Sequence, residues 1–156
     1  MKGDADSKCV YASVDLGGTK IAGALATGDG HVLAEQTTPT QSHEGPEAVL
    51  QRIAGLVQAL AQRVNAQPAA LGIGVPGLVD LRAGMTKFLP NLPTQWRDVP
   101  VRDILMPQVD CPVYLLNDVR TATLGELVFG HGRDVGTMAF FALGTGIGGG
   151  IAIDGR

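Results

Sequence analysis

The opening of the chain alternates between short apolar runs and glycine-containing gaps, a pattern typical of β-hairpins. Residues 10–16 are apolar and β-branched, residues 20–26 follow in a similar way, and residues 31–37 alternate between apolar and polar positions. Gly17-Gly18-Thr19 and Gly28-Asp29-Gly30 fill the two gaps. Since glycine supplies the positive φ of a tight hairpin turn, the pattern predicts an antiparallel meander of three strands.

A long amphipathic helix is predicted next, over residues 44–64. Ser42 or His43 precedes this helix, and Gly45-Pro46 falls in its first turn, where proline is tolerated. Apolar side chains recur at steps of three and four residues and therefore share one face of the helix. They are Val49, Ile53, Leu56, Val57, Leu60 and Val64.

The rest of the chain interleaves strands with helices. A buried strand is predicted over residues 71–75, followed by short strands and loops through the proline-containing segment 78–100. A helix over 101–106, a strand over 113–116 and a helix over 119–129 come next, and strands over 137–143 and 149–153 flank a glycine-rich turn. This order predicts an α/β layer structure.

Composition and charge limit the classes of protein. The 156 residues, 45% hydrophobic and 17% charged, suffice for one soluble domain with a real core. A net charge of -3 provides no basic surface for nucleic acid or for a membrane, so we expect neither partner, and phosphate binding must come from local geometry. Residues 1–8 form a polar tail unlike a signal peptide, and no stretch approaches the roughly 20 apolar residues that span a membrane.

The cysteines and histidines carry no recognisable metal motif. Cys9 and Cys111 are predicted to be free, buried thiols in a cytoplasmic protein, although a disulfide between them is the alternative. His31, His43 and His131 match no ligand spacing and are expected on the surface or in loops.

The first glycine segment is a candidate phosphate site. It reads Asp15-Leu16-Gly17-Gly18-Thr19-Lys20 on a predicted strand–turn–strand. Paired glycines let backbone amides approach a phosphate, Thr19 adds a hydroxyl donor, and Asp15 at the strand end suits a Mg²⁺ ion that accompanies the phosphates. An ordinary hairpin turn with a surface aspartate explains the same residues.

The second glycine segment, residues 144–150, contains the G-x-G-x-x-G pattern of dinucleotide sites. That pattern must lead from a strand into a helix, whereas residues 151–153 continue as strand, so a Rossmann site is excluded. A Walker A loop is also excluded, because Lys20 lacks the required preceding glycine. A hairpin of glycines with Thr145 remains, and it suits a second phosphate.

Three further segments carry candidate ligand-binding groups. Asp118, with Asn117, follows an apolar strand and opens a helix, so it is either an N-cap or a general base that accepts a proton from a substrate hydroxyl. Asn91 lies in a proline-stiffened loop near Trp96 and could hydrogen-bond to sugar hydroxyls, or belong to a surface turn packed by the indole. The 74–77 segment, Gly-Val-Pro-Gly, either brings bare backbone to the same ligand or turns the chain.

Five motifs in this order resemble the ROK family of bacterial sugar kinases and sugar-responsive repressors. They are Asp15-x-Gly17-Gly18-Thr19-Lys20, Gly74-x-Pro76-Gly77, Asn91-Leu92-Pro93-x-x-Trp96, Asn117-Asp118 and Leu143-Gly144-Thr145-Gly146-x-Gly148-Gly149-Gly150, from about residue 10 to the end. The resemblance implies an actin-like ATPase lobe of the ribonuclease-H type, with a mixed sheet that opens with the meander and has helices on both faces. Residues 9–156 would be the amino-terminal lobe of a two-lobed kinase whose second lobe is absent.

The resemblance also implies roles for individual residues in ATP-dependent phosphorylation of a hexose, as in glucokinases. Asp118 would be the general base. The sugar pocket would be lined by Pro76, Gly77, Asn91 and Asn117. The nucleotide phosphates and Mg²⁺ would be held by Asp15, Gly17, Gly18, Thr19, Lys20, Thr145 and Gly146.

Some family features are missing from this sequence. The family's second lobe supplies a glutamate and a histidine to the sugar and a zinc site of one histidine and three cysteines; Cys9 and Cys111 do not match that site, so no zinc is expected. The family's repressors carry a helix-turn-helix ahead of the first glycine motif, and 14 residues precede Asp15, which favours a kinase. Arg120 has no assigned role.

Two hypotheses follow, a hexose kinase and a non-catalytic sugar-sensing module or ROK-type transcriptional regulator. A kinase encloses its substrate between two lobes, so this lobe alone is expected to have little or no turnover. The apolar surface that faces the second lobe would also favour association, which allows a homodimer.

Overall fold

The structure, a computed structural model, describes residues 9–92, 94–143 and 147–155. Nine strands and three α-helices occur in this part of the chain, together with short 3-10 turns at Ser42–Glu44 and Thr94–Trp96. The strands are β1 (Val10–Leu16), β2 (Lys20–Thr27), β3 (Val32–Pro39), β4 (Leu71–Val75), β5 (Leu78–Asp80), β6 (Met85–Phe88), β7 (Val113–Asn117), β8 (Met138–Leu143) and β9 (Ile147–Ala152). The helices are α1 (Pro46–Val64), α2 (Val101–Val109) and α3 (Asp118–Val128).

A five-stranded mixed sheet forms the centre of the fold, in the order β3-β2-β1-β4-β7. The meander β1-β2-β3 is antiparallel, as the glycine-separated runs predict, and β4 and β7 run parallel to β1. Two separate hairpins, β5-β6 and β8-β9, complete the described strands. The α/β class and the mixed sheet are therefore confirmed.

The hydrophobic core lies on one face of this sheet. In β1, Ala12, Val14 and Leu16 are buried, while Ser13 and Asp15 point to the opposite face, because side chains alternate along a strand. Helix α1 buries an apolar stripe against β2 and β3, and α2 packs beside α1. Helix α3 instead contacts β4 and β7 on the Asp15 side, so helices cover both faces.

Several predicted boundaries differ from those observed. The helix predicted from residue 44 begins at Pro46, because Gly45 has φ 90°, which interrupts it after the turn Ser42–Glu44. Helix α2 continues through Pro107 to Val109 instead of ending at 106. The loss of one backbone hydrogen bond at this proline is tolerated two residues before the helix ends.

The two glycine turns of the meander use glycine for different reasons. Gly30 has φ 88°, as expected for a hairpin turn. Gly17 and Gly18 do not have positive φ; instead, an added Cβ would lie 2.9 Å from the Lys20 carbonyl oxygen and 2.7 Å from the Asn91 carbonyl oxygen, respectively. Close approach of backbone, and not a left-handed conformation, therefore requires glycine at these two positions.

Within the described part of the chain, no helix is long and apolar enough to cross a membrane. Both cysteines are free, as predicted; Cys111 is buried but Cys9 is only half-buried. All three histidines are exposed.

A buried threonine fixes the segment that follows β6. The Thr86 side chain is fully buried, and its hydroxyl donates to the Trp96 carbonyl oxygen at 2.6 Å and accepts from the Val99 amide at 3.3 Å. Trp96 and Leu92 are themselves buried, whereas Asn91 is exposed. The core thus holds both sides of the Asn91 loop.

Thr86→Val is expected to destabilise the fold by about 1–3 kcal/mol, because it leaves two buried backbone groups without partners. Urea unfolding of the protein measures this change. Thr86→Ser keeps the hydroxyl and is the matched control; equal losses for the valine and serine variants would contradict the role of the hydroxyl.

Candidate functional site

The three parallel strands deliver two aspartates to one side of the sheet. Asp15 pairs with Gly74 across β1 and β4, and Val75 pairs with Asn117 across β4 and β7, so Asp118 follows the end of β7 directly. The carboxyl ends of neighbouring parallel strands meet at one edge, which is where ligands bind in open α/β sheets.

Gly74 leaves the space between these aspartates open. A Cβ built on Gly74 would lie 3.6 Å from three atoms: Asp15 Oδ1, Asp118 Cα and Thr121 Oγ1. These groups therefore surround one point above β4. The absence of a side chain at Gly74 leaves this point accessible to a ligand.

Asp15 and Asp118 line the same cavity, which has a volume of about 830 Å³. One wall is the sheet face opposite the core, with Ser13, Ala22, Ala24, Glu35 and Thr37. The other wall comes from α3 and β8, with Val119, Thr121, Ala122, Phe140 and Ala142. The cavity is large enough for a drug-sized ligand.

Electrostatics distinguish Asp15 from an ordinary surface carboxylate. Its side chain is exposed to the open cavity, yet protein atoms around it displace part of its water. This desolvation raises the pKa of Asp15, repulsion by Asp118 raises it further, and the Lys20 ammonium partly opposes both. A divalent cation at this position would relieve the repulsion, because it adds positive charge beside two carboxylates.

Asn117, and not Asp118, caps α3. The Asn117 Oδ1 accepts from the Arg120 amide at 3.1 Å, which is the N-cap interaction, while Asp118 is the first residue of the helix. Asp118 Oδ1 accepts from its neighbouring Val119 amide at 2.8 Å and from Asn117 Nδ2 at 2.9 Å. These bonds orient the Asp118 carboxylate at the helix N-terminus, where negative charge is favoured.

The predicted sugar residues lie beside the cavity and do not line it. Asn117 Nδ2 also donates to the Gly77 carbonyl oxygen at 3.2 Å, and a Cβ on Gly77 (φ 142°) would lie 3.0 Å from Pro90 Cδ. Gly18 in turn contacts the Asn91 backbone. A continuous set of contacts therefore connects the first glycine turn, the Asn91 loop, Gly77 and Asp118; Pro76 is buried before Gly77.

The first glycine turn offers two amides to a ligand. The Gly17 amide donates to the Lys20 carbonyl oxygen at 3.0 Å, which closes the hairpin, so it is not available to a phosphate. The amides of Gly18 and Thr19 make no hydrogen bond to another described residue. The Thr19 and Lys20 side chains are exposed.

The second glycine segment is only partly visible, since Thr145 and Gly146 lie outside the described residues. Gly148 and Gly150 both belong to strand β9, which begins at Ile147, two residues before the predicted start at 149. A Cβ on Gly148 would lie 2.7 Å from Val119, and one on Gly150 would overlap Thr123. These glycines allow α3 to pack closely on the β8-β9 hairpin.

Thr121 is a cavity residue that the sequence reasoning missed. It follows Asp118 by one helical turn, and its hydroxyl donates to the Asn117 carbonyl oxygen at 3.0 Å. The three-residue spacing, which places Asp118 and Thr121 on one helix face, is the signal that points to it.

Among the described residues, no group of three or more His, Cys, Asp or Glu side chains could hold a metal ion.

The sheet order, with helices on both faces, is that of the actin-like ATPase fold. A model of the ROK family matches residues 11–156, and the chain belongs to that family. It is 39% identical over 148 residues to a glucokinase from Thermotoga maritima, covering 95% of this chain and 46% of that protein. It is also 31% identical over 146 residues to a xylose repressor from Caldicellulosiruptor bescii, covering 92% and 36% respectively.

Solved structures agree with this fold. The ROK hexokinase from Thermus thermophilus superposes with a TM-score of 0.85 at 33% identity, over 94% of this chain and 48% of that one. A ROK family glucokinase from Streptomyces griseus in complex with glucose and AMPPNP gives a TM-score of 0.84 at 33% identity, over 94% and 45%. The chain spans about half the length of the glucokinases it matches.

Asp15→Asn is expected to stabilise the folded protein at neutral pH. Because the pKa of Asp15 is raised on folding, its contribution to stability is full below the unfolded pKa of about 4 and is lost as pH rises through the folded value. The advantage of the variant over the unmodified protein should therefore grow between pH 4 and pH 7, as measured by urea unfolding.

Asp29→Asn is the matched control with the opposite sign. The Thr27 hydroxyl, with the His31 amide, lowers the pKa of Asp29, so its contribution is present above the unfolded pKa and is lost as pH falls. If both variants shifted stability in the same direction, the account of Asp15 would be wrong.

Gly150→Ala is expected to destabilise the protein by about 1–3 kcal/mol, since its new methyl group must displace Thr123 and with it α3. Gly125→Ala, on α3 itself, is the control: nothing described lies within 4 Å of its added Cβ, and alanine favours a helix by about 0.5–1 kcal/mol. Thermal unfolding compares the two, and a neutral Gly150→Ala would contradict the packing role.

Proposed function

We propose that the protein containing this chain transfers the terminal phosphoryl group of ATP to a hydroxyl group of a hexose, with glucose the first substrate to test. The observation that carries the proposal is that Asp15 and Asp118 face one cavity beside the first glycine turn. The similarity to a glucokinase that binds glucose and AMPPNP supports the choice of ligands.

In this proposal, Asp118 is the general base. Hydrogen bonds from Val119 and Asn117 both reach Oδ1, so Oδ2 is left to accept the proton of the sugar hydroxyl as that oxygen attacks the phosphorus atom. The leaving group is ADP, and the proton stays on the Asp118 carboxylate until solvent removes it. Asn117 and Gly77, joined to each other, would border the sugar.

Asp15 is the carboxylate that would hold Mg²⁺ together with the nucleotide phosphates. A site with one protein carboxylate fits this ion, which usually keeps several waters and binds substrate phosphates. When bound, Mg²⁺ would neutralise charge on the phosphates. The amides of Gly18 and Thr19, the Thr19 hydroxyl and Lys20 would contact phosphate oxygens, with Thr145 and Gly146 proposed for the same role.

A second lobe would complete the site. The β8-β9 hairpin exposes one apolar face, on which Phe141, Leu143, Ile147 and Ile151 are between 67% and 81% exposed. We propose that the remaining half of the protein, present in the glucokinases of full length, packs against this face and closes over the cavity. A homodimer through the same face is the alternative.

A sugar-responsive regulator is the second candidate function, favoured by the similarity to a xylose repressor. Such a protein would bind a sugar without phosphoryl transfer. Release of ADP that depends on glucose, measured in a coupled assay with the full-length protein, supports the kinase; sugar binding without ADP release supports the regulator.

Asp118→Asn is expected to lower kcat by about 10²–10⁴-fold, the contribution typical of a general base, with little change in sugar affinity. The asparagine oxygen can still accept from the Val119 amide, so the start of α3 is preserved. Asp98→Asn, which removes an exposed carboxylate paired with Lys87, is the control and should leave kcat unchanged. Unchanged turnover in Asp118→Asn would overturn the base assignment.

A further inference from the structure

We propose that Thr40 is a positioning residue for nucleotide binding: it fixes the first glycine turn so that the Gly18 amide is presented to a phosphate. This inference rests on the proposed function. Thr40 follows β3, 21 residues beyond Thr19 in sequence, and belongs to none of the motifs that carry the family resemblance.

Two hydrogen bonds join Thr40 to the turn. The Thr40 hydroxyl donates to the Gly17 carbonyl oxygen at 2.7 Å, and the Thr40 amide donates to the Thr19 carbonyl oxygen at 2.9 Å. The Thr40 side chain is fully buried, so water does not compete for these bonds. One residue thus holds the carbonyl groups on both sides of Gly18.

The hydrogen bond to the Gly17 carbonyl oxygen also fixes the orientation of the Gly18 amide. No cis peptide bond occurs in the described residues, and in a trans peptide the carbonyl group of one residue points opposite to the next residue's N–H. Because the Gly17 carbonyl points at Thr40, the Gly18 N–H points away from it. That N–H makes no hydrogen bond to a described residue and is available to an anion.

An ion pair between α1 and the 3-10 turn that precedes it supports Thr40 from the side opposite the glycine turn. Arg52 Nη1 donates to the Thr40 carbonyl oxygen at 2.6 Å, and Arg52 Nη2 pairs with Glu44 Oε2 at 2.6 Å. Arg52 is largely shielded from solvent, with 22% of its side chain exposed. Thr40 is therefore held between the turn and α1, which limits rearrangement of the turn before a ligand binds.

The test compares Thr40→Val with Thr40→Ser in the full-length protein, with Mg²⁺-AMPPNP and glucose as separate calorimetric probes. Thr40→Val removes the hydroxyl at nearly constant shape, so nucleotide affinity should fall about tenfold, the effect of one hydrogen bond lost from a preorganised site. Glucose affinity should change less than about twofold. Thr40→Ser keeps the hydroxyl and should bind nucleotide nearly as the unmodified protein does.

Thr86→Val is the matched control, because Thr86 is an equally buried threonine whose hydroxyl bonds Trp96 and not the glycine turn. It should lose stability, and its nucleotide affinity should fall less than that of Thr40→Val, because Thr86 reaches the glycine turn only through the Asn91 loop. Equal nucleotide affinity in Thr40→Val and the unmodified protein, or equal losses in Thr40→Val and Thr86→Val, would overturn the proposal.

Arg52→Met provides a second variant if Thr40→Val does not fold. It removes the hydrogen bond from Arg52 to the Thr40 carbonyl oxygen at a partly exposed position. Nucleotide affinity should then fall about threefold, with glucose affinity unchanged. No change in nucleotide affinity would then overturn the proposal. An unmodified protein that binds glucose but not Mg²⁺-AMPPNP would contradict the proposed function itself, an outcome distinct from failure of the Thr40 variants alone.

Discussion

The placement of the Asp15 and Asp118 carboxylates in one cavity is the constraint on which the rest of the site depends. The parallel pairing of β1, β4 and β7 brings the two residues to one edge, and Gly74 keeps the space between them free. Desolvation of the Asp15 carboxylate costs free energy and repulsion by Asp118 adds to that cost, which is why the pKa of Asp15 is raised. A site that accepts this cost is suited to a positively charged ligand or to a proton in transfer.

The two carboxylates have different surroundings, which suit them to different roles. Asp118 is oriented by the Asn117 side chain and by the first turn of α3, which itself packs on the glycines of β9. Asp15 lies at the end of β1, immediately before the turn that Thr40 and Arg52 hold in place. Asp118 and the first glycine turn are thus fixed by different parts of the fold. These parts contact each other where Gly18 meets the Asn91 backbone.

Much of this fold could be predicted from the sequence, because the apolar periods of β1, α1 and β4 are strong and the helix and strand types follow from them. The class of fold and the family are confirmed. The turn geometry could not be predicted. Glycine is required at position 17 by the Lys20 backbone of the closed hairpin, and at position 18 by the backbone of Asn91, which is distant in sequence. The N-cap could not be predicted either: Asp118 was the expected cap, whereas Asn117 takes that position, and both residue types are favoured there. Thr40 carries no motif, and only its buried contacts reveal its position beside the turn.

The most direct test of the account is a crystal structure of the full-length protein with glucose and Mg²⁺-AMPPNP. We expect a glucose hydroxyl within hydrogen-bond distance of the Asp118 carboxylate, the terminal phosphate beside that hydroxyl, and the metal ion on the Asp15 side of the same cavity. Ligands bound in separate clefts, or an Asp118 carboxylate that contacts no sugar hydroxyl, would contradict it.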